Sequence, residues 1–399
     1  MRMQIRAIEQ ALAAAGKKIA MPPAESSEGQ EPTSPPPPQA EDEVRIEYFP
    51  VVDAVPVMPD QWTMLVAHEF FDALPIHIFE KTVQGWREVL VDVQRAATGS
   101  ASPSKPSSAP TDSHRPQSGV STIKVSDLRG KQQNDGQKGA ASTPGGGFRY
   151  VLSPTETPWA KLLAAANPTF RGLQPGQRVE VSPESWAAAR KIGELVAGRP
   201  AKATPSMDQA ASSSTGNDEA AKQEAERTAS PSMGGAALIV DYGDTKTFGG
   251  SFRAFKSHQI VDPLTQAGSA DLTANVDFGY LRTALSTTDG RSMGPMFQSH
   301  FLASLGLSQR VEALVKAANS ADRAKQIEGA AKRLVDPTGM GAQYKVLGVD
   351  GRSTTATAEE DTRVYPFDFE EELLAAARKK AEEEKQQEAG GMGKANQAA

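Results

Sequence analysis

The sequence predicts an α/β fold, a sheet covered on both faces by helices. Three observations carry this. Ala236–Val240 is a five-residue apolar run, the kind of strand buried inside a parallel sheet. Short strand-type segments alternate along the chain with helical patterns. Ser182-Pro183-Glu184-Ser185 follows Val179–Val181 as a helix start, with an N-cap, proline at the first helical position and an acid in the first turn.

Each element has its own signal. Val44–Phe49 and Thr63–Ala67 are short apolar strands. Ile76–Lys81 and Trp86–Val93 alternate around Gln84-Gly85, which predicts a hairpin. Phe148–Leu152 is a strand, and Trp186–Ala197 continues the helix begun at Pro183. Asp277–Leu285, Phe301–Leu305, Ser308–Ala318 and Ala321–Leu334 have helical spacing, and Tyr344–Val349 is a closing strand. At the N-terminus, Ile5, Ile8, Leu12 and Ile19 keep roughly helical spacing, which reads as an amphipathic helix. Arg2, Arg6, Lys17 and Lys18 would also suit a transit peptide.

Composition narrows the classes. The chain has 399 residues, but 34 are Gly and 28 Pro, and these are clustered, so the folded part is shorter than the chain. Residues 22–43, 97–147 and 200–232 lack the apolar content to offset chain entropy and read as disordered insertions. They interrupt an α/β domain spanning 1–382, and 383–399 reads as a charged disordered tail. The formal net charge of −6 leaves no broad basic field for nucleic acid. No apolar run approaches the roughly 20 residues of a membrane span. Cysteine is absent, which excludes disulfides, thiolate catalysis and Cys-based metal sites. The five histidines, at 68, 77, 114, 258 and 300, form no i, i+4 pair, so no metal site is expected. No G-x-S-x-G, P-loop or H-E-x-x-H pattern is present.

In open α/β sheets, ligands sit outside the C-terminal ends of the strands. Two such ends carry polar groups. The strand ending at Ala67 runs into His68-Glu69-Phe70-Phe71-Asp72, and Glu69 and Asp72 can face one pocket. Carboxylates there would accept hydrogen bonds from a guanidinium or amine. The same residues also fit a plain helix start, with Asp72 as a cap and both phenylalanines in the core. The run Leu238–Val240 emerges into Asp241-Tyr242-Gly243, either a pocket wall that Gly243 lets a ligand approach or an ordinary turn. Downstream, Arg253, Phe255, His258 and Asp262 are scattered polar candidates, and Asp271 and Asp277 read as helix-start acids.

Four long segments now carry a resemblance: AHEFFDALPIHIFEKTVQGWREVLVD at 67–92, GGAALIVDYGDTKT at 234–247, SFRAFKSHQIVDPL at 251–264 and GSADLTANVDFGYLR at 268–282. Together with GQRVEVSPESW at 176–186 and RLVDPTGMGAQYKVLGV at 333–349, they resemble the MidA-type mitochondrial protein arginine methyltransferases, assembly factors of respiratory complex I. The resemblance implies a Rossmann-like S-adenosylmethionine-dependent methyltransferase sheet. It implies S-adenosylmethionine as methyl donor, and symmetric dimethylation of an arginine on a complex I subunit in the mitochondrion. It casts Glu69 and Asp72 as the residues that orient the substrate arginine, and His68 and Asp241 as lining the donor site. The family's E-L-G-x-G-x-G loop and the acid ending its next strand are not found here, so the sheet is expected to be N-terminally incomplete, with neighbouring strands left at an open, apolar edge. Two readings follow: an arginine methyltransferase complete only in a longer form, or a catalytically inactive interaction protein of complex I assembly. A dehydrogenase would need the same loop. The oligomeric state is left open.

Overall fold

The computed structural model describes residues 18–20, 43–94, 122–123, 147–201, 231–265, 267–352, 363–376 and 379. The chain divides into two compact units, Met1–Pro56 and Val57–Ala399. In the first, β1 (Lys18–Ala20) and β2 (Glu43–Arg45) pair in parallel, Ile19 opposite Val44. Ile19 therefore lies in a strand, not in the helix that its spacing suggested, and the rest of that expected helix falls outside the described residues. The strand expected over Val44–Phe49 covers only its first two residues.

The second unit begins with β3 (Thr63–His68), β4 (His77–Thr82), β5 (Gly85–Gln94), β6 (Thr122–Ile123), β7 (Gly147–Leu152) and β8 (Arg178–Val181). Helix α1 (Pro183–Ala197) follows, then β9 (Gly235–Asp244), β10 (Arg253–Lys256), β11 (Gln259–Val261), β12 (Asp271–Thr273) and β13 (Val276–Asp277). Helix α2 (Phe278–Leu285) and β14 (Arg291–Phe297) lead into α3 (Gln298–Ser304), α4 (Leu307–Lys316), α5 (Ala321–Val335), α6 (Met340–Gln343) and β15 (Tyr344–Gly351).

The central strand is β9. It pairs antiparallel with β15 on one edge, and in parallel with β3 and then β13 on the other. Strand β14 closes the far side against β15. The sheet is thus mixed, whereas the apolar run predicted a parallel one. Residues Ala237 and Ile239 are nearly or fully buried, as that run required. Helix α1 lies on this sheet through Ala188, Ala189, Ile192, Leu195 and Val196, all buried. Its start is capped as the sequence predicts, with Ser182 Oγ accepting from the Ser185 amide at 3.0 Å. Its end is a left-handed Gly198.

A second, antiparallel sheet runs β6-β7-β5-β4-β8. The predicted hairpin is there, with Thr82 opposite Gly85. Its core is Phe79, Trp86, Val179 and Phe170. A third small sheet, β11-β10-β12, holds the chain between β9 and α2.

Most of the three expected insertions, and the tail at 383–399, lie outside the described residues. Within 97–147, β6 pairs with β7. At the end of 200–232, Ser232 is buried, its hydroxyl donating to Ala197 O at 2.8 Å, so the ordered chain resumes before the expected boundary.

Strand β3 pairs with β9 and with no other strand among the described residues. Met64 is 75 % exposed and Val66 64 %.

Gly243 serves a packing role. A Cβ built there would come within 2.0 Å of the Val276 carbonyl, so only glycine lets β13 lie against β9. The close approach is of backbone, not of a ligand. Gly243→Ala is expected to destabilise the protein by about 1–3 kcal/mol, read as a lowered urea midpoint with an unchanged slope.

Candidate functional site

The candidate site forms where β3 and β9 end and β15 begins. Chain direction explains this: β3 and β9 are parallel, so their C-terminal ends lie together, and antiparallel β15 brings its first residue to the same end. Tyr344 of β15 faces Tyr242 of β9, with ring centroids 5.5 Å apart and edge to face.

Glu69 follows β3 directly. Its amide still donates to Val240 O at 3.0 Å, but its φ is +48°. A non-glycine residue in the left-handed region costs roughly 1–2 kcal/mol, and the ladder bond holds it there. Its side chain is exposed, and the Tyr344 hydroxyl donates to Oε1 at 2.5 Å. Oε2 has no protein donor among the described residues.

Asp72 is half-buried. The Tyr242 hydroxyl donates to its Oδ2 and is also bonded to the Thr273 hydroxyl. Oδ1 is buried with no partner among the described residues. A buried carboxylate oxygen without a donor leaves negative charge uncompensated. Burial, and then the neighbouring carboxylate, raise the pKa of both tyrosines well above the ordinary phenol value. Both stay protonated and act as donors. The Arg253 guanidinium lies 4.9 Å from the Tyr242 ring centroid and donates to Ser251 O and Asn275 Oδ1 at 2.8 and 2.7 Å. The tyrosine face thus already holds a guanidinium.

Asp241 is fully buried. Its Oδ2 accepts from the Phe71 amide at 3.0 Å and the Asp72 amide at 3.2 Å, and its Oδ1 from the Tyr242 amide at 2.9 Å. This corrects the expectation that Asp241 lines the donor site. It has no surface for a ligand and instead fastens the turn bearing Asp72. Burial pushes its pKa up to about 7, with the charge of Asp72 adding to the effect.

Of the other candidates, His68 is exposed at the last position of β3, next to Glu69. His258 sits with Ser257 in the two-residue β10–β11 turn, both at positive φ, as such hairpins require. Asp271 belongs to β12 and does not start a helix. Asp277 does, accepting from the Tyr280 amide at 3.0 Å. Asp262 caps its own turn, Oδ1 accepting from the Leu264 amide. Phe255 lies 5.7 Å from the Arg253 guanidinium. Sequence reasoning placed Tyr242 in a possible pocket wall without a role of its own, and missed Thr273 and Tyr344 as members of the site. Tyr242 adjoins Asp241, but nothing local marks Tyr344, which lies 275 residues from Glu69. Among the described residues no group of three metal-ligating side chains occurs, and no helix is long and apolar enough to cross a membrane.

An α/β sheet with polar groups gathered at its strand ends has the layout in which open α/β folds bind ligands. This chain belongs to the S-adenosyl-L-methionine-dependent methyltransferase family whose model matches residues 4–296. Similar proteins include the mitochondrial protein arginine methyltransferase NDUFAF7 of Mus musculus, 28% identical over 287 residues, covering 72% of this chain and 45% of that protein. The Homo sapiens protein of the same name is 28% identical over 73% of this chain and 46% of its own. That of Danio rerio is 29% identical over 76% and 51%. The chain spans about half the length of the curated relatives it matches. A crystal structure from Burkholderia thailandensis, bound to S-adenosyl-homocysteine, aligns with a TM-score of 0.46 at 16% identity, over 77% of this chain and 56% of that one.

The buried acid dictates a pH dependence. An ordinary unfolded aspartate titrates near 3.9, while folded Asp241 titrates at about 7. Between those values the folded state holds a proton that the unfolded chain does not, so this group's contribution to stability falls as pH rises from about 4 to about 7. Asp241→Asn removes the titration. The variant's loss of stability should be larger near pH 5 than near pH 8 in urea melts. Equal losses at the two pH values would show that Asp241 is charged throughout.

Proposed function

We propose that this chain acts as a protein arginine methyltransferase. In this reading it transfers methyl groups from S-adenosylmethionine to an arginine of a respiratory complex I subunit, giving the symmetric dimethyl product in the mitochondrion and supporting complex I assembly. The names of the similar proteins support the protein arginine substrate and the compartment.

One observation at the site carries the chemistry: Glu69 is held in a left-handed conformation, with one carboxylate oxygen pinned by Tyr344 and the other without a donor among the described residues. Strain maintained at a ligand-facing residue marks a function. A free carboxylate oxygen there accepts a guanidinium N–H. The donor set also fits S-adenosylmethionine in charge, because its sulfonium is a cation and the site presents carboxylates and tyrosine rings. When bound, S-adenosylmethionine would supply the methyl group, its S–CH3 bond breaking to leave the neutral thioether S-adenosylhomocysteine. Glu69 orients the guanidinium nitrogen that takes the methyl. That nitrogen loses one proton, and the exposed Glu69 carboxylate can receive it and pass it to water. The negative charge of Asp72 favours the remaining positive charge electrostatically, and Tyr242 keeps its carboxylate in place.

A second reading, an interaction protein without catalysis, draws on the exposed Met64 and Val66 of β3. The two are separated by one variant. Glu69→Gln keeps the size and the Tyr344 contact but removes the charge. In a tritiated-methyl assay with complex I subunits as acceptors, turnover is expected to fall at least about 100-fold, with the circular dichroism melt unchanged. Undiminished turnover would remove Glu69 from the chemistry. No turnover by the unaltered chain, together with retained binding to complex I subunits, would favour the interaction reading.

A further inference from the structure

A cavity of about 790 Å³ adjoins the carboxylate cluster. Phe71, whose amide is held by Asp241, lines it. So do Ala274, whose amide donates to Asp72 O at 3.0 Å, and Asn275, which accepts from Arg253. The cavity and the site therefore share a wall of backbone and side chains.

Its size falls within the range of small-ligand pockets. The walls are largely aromatic and aliphatic, with Phe170, Val179, Trp186, Phe248, Tyr280 and Leu281 among them. The Trp186 and Tyr280 rings lie 5.0 Å apart at 52°, leaving faces against which a third ring can pack. Two acids also line the cavity, but both are occupied. Glu180 Oε1 accepts from the Ser251 and Phe252 amides at 2.7 and 3.2 Å, and its Oε2 takes the Ser251 hydroxyl. Asp277 accepts from the Tyr280 amide at 3.0 Å and the Thr247 hydroxyl at 3.1 Å. All four carboxylate oxygens are engaged within the chain. The aromatic and aliphatic remainder of the wall favours apolar contact.

We propose that this cavity is a second substrate subsite. It seats an aromatic or large aliphatic side chain of the polypeptide that carries the target arginine, a few residues from that arginine. The proposal rests on the arginine reading above and adds a sequence preference to it. The carboxylates at the strand ends take the guanidinium, and the cavity selects its neighbour.

The test is calorimetric binding of synthetic peptides to the full chain. Each peptide carries one arginine and a single phenylalanine placed one to four residues away on either side, and a control has serine in its place. At least one phenylalanine position is expected to bind about tenfold tighter than the control. Thr169→Trp, which fills the cavity from its exposed rim, and Tyr280→Ala should each erase that preference and leave the serine peptide unaffected. Circular dichroism on both variants verifies folding. Glu69→Gln should weaken both peptides alike. Equal binding of all peptides, or a preference that survives both cavity variants, overturns the proposal. So does loss of the preference on saturation with S-adenosylhomocysteine, since the cavity would then belong to the methyl donor. A phenylalanine preference that persists while Glu69→Gln has no effect on either peptide would sink the arginine reading and leave the cavity subsite standing.

Discussion

The site hangs on one carboxylate that never meets solvent. Asp241 gathers the amides of Phe71, Asp72 and Tyr242, and so ties the turn after β3 to the end of β9. Backbone amides that leave a strand need acceptors, and a buried turn has no water to supply them. An internal acid meets that need at a cost in desolvation, visible in its raised pKa. The arrangement sets the direction of Asp72 and keeps Phe71 in the cavity wall.

Around this tie the sheet does the positioning. Parallel pairing of β3 with β9 puts two strand ends together, and antiparallel β15 delivers Tyr344 to the same place. Tyrosine suits the role because burial keeps its hydroxyl protonated, so it can only strengthen a carboxylate's hold on its geometry. Among the described residues β3 pairs with β9 alone, and its Met64 and Val66 are in contact with water. A strand with an apolar face in that position is a surface on which other polypeptide can pair.

Much of the fold was legible because periodicity and capping are local. The hairpin around Gly85, the Ser182 cap and the run Ala236–Val240 all express backbone physics within a few residues. Failures came where local signals are shared between structures. Asp271 looks like a helix-start acid because acids favour both helix starts and strand edges near turns, and only pairing with Phe255 makes it a strand residue. Ile19 fits a helical stripe but pairs with Val44. Ala236–Val240 was correctly read as buried, yet burial does not say whether the neighbouring strand runs parallel or antiparallel. In the site, Glu69 and Asp72 were legible because polar residues ended an apolar strand. Asp241 was legible as a polar strand end, but its role was not.

By itself, the sequence determined the α/β class, the capped helix beside the sheet, the family and the two carboxylates at a strand end, because each is written in contiguous runs of residues. Only the tertiary structure decided what those carboxylates touch. Tyr344 reaches Glu69 across 275 residues, Asp241 reaches Phe71 across 170, and Thr273 closes the ring around Tyr242. Contacts of that separation depend on strand order and direction. Those are set by how whole elements pack, and no local pattern records them.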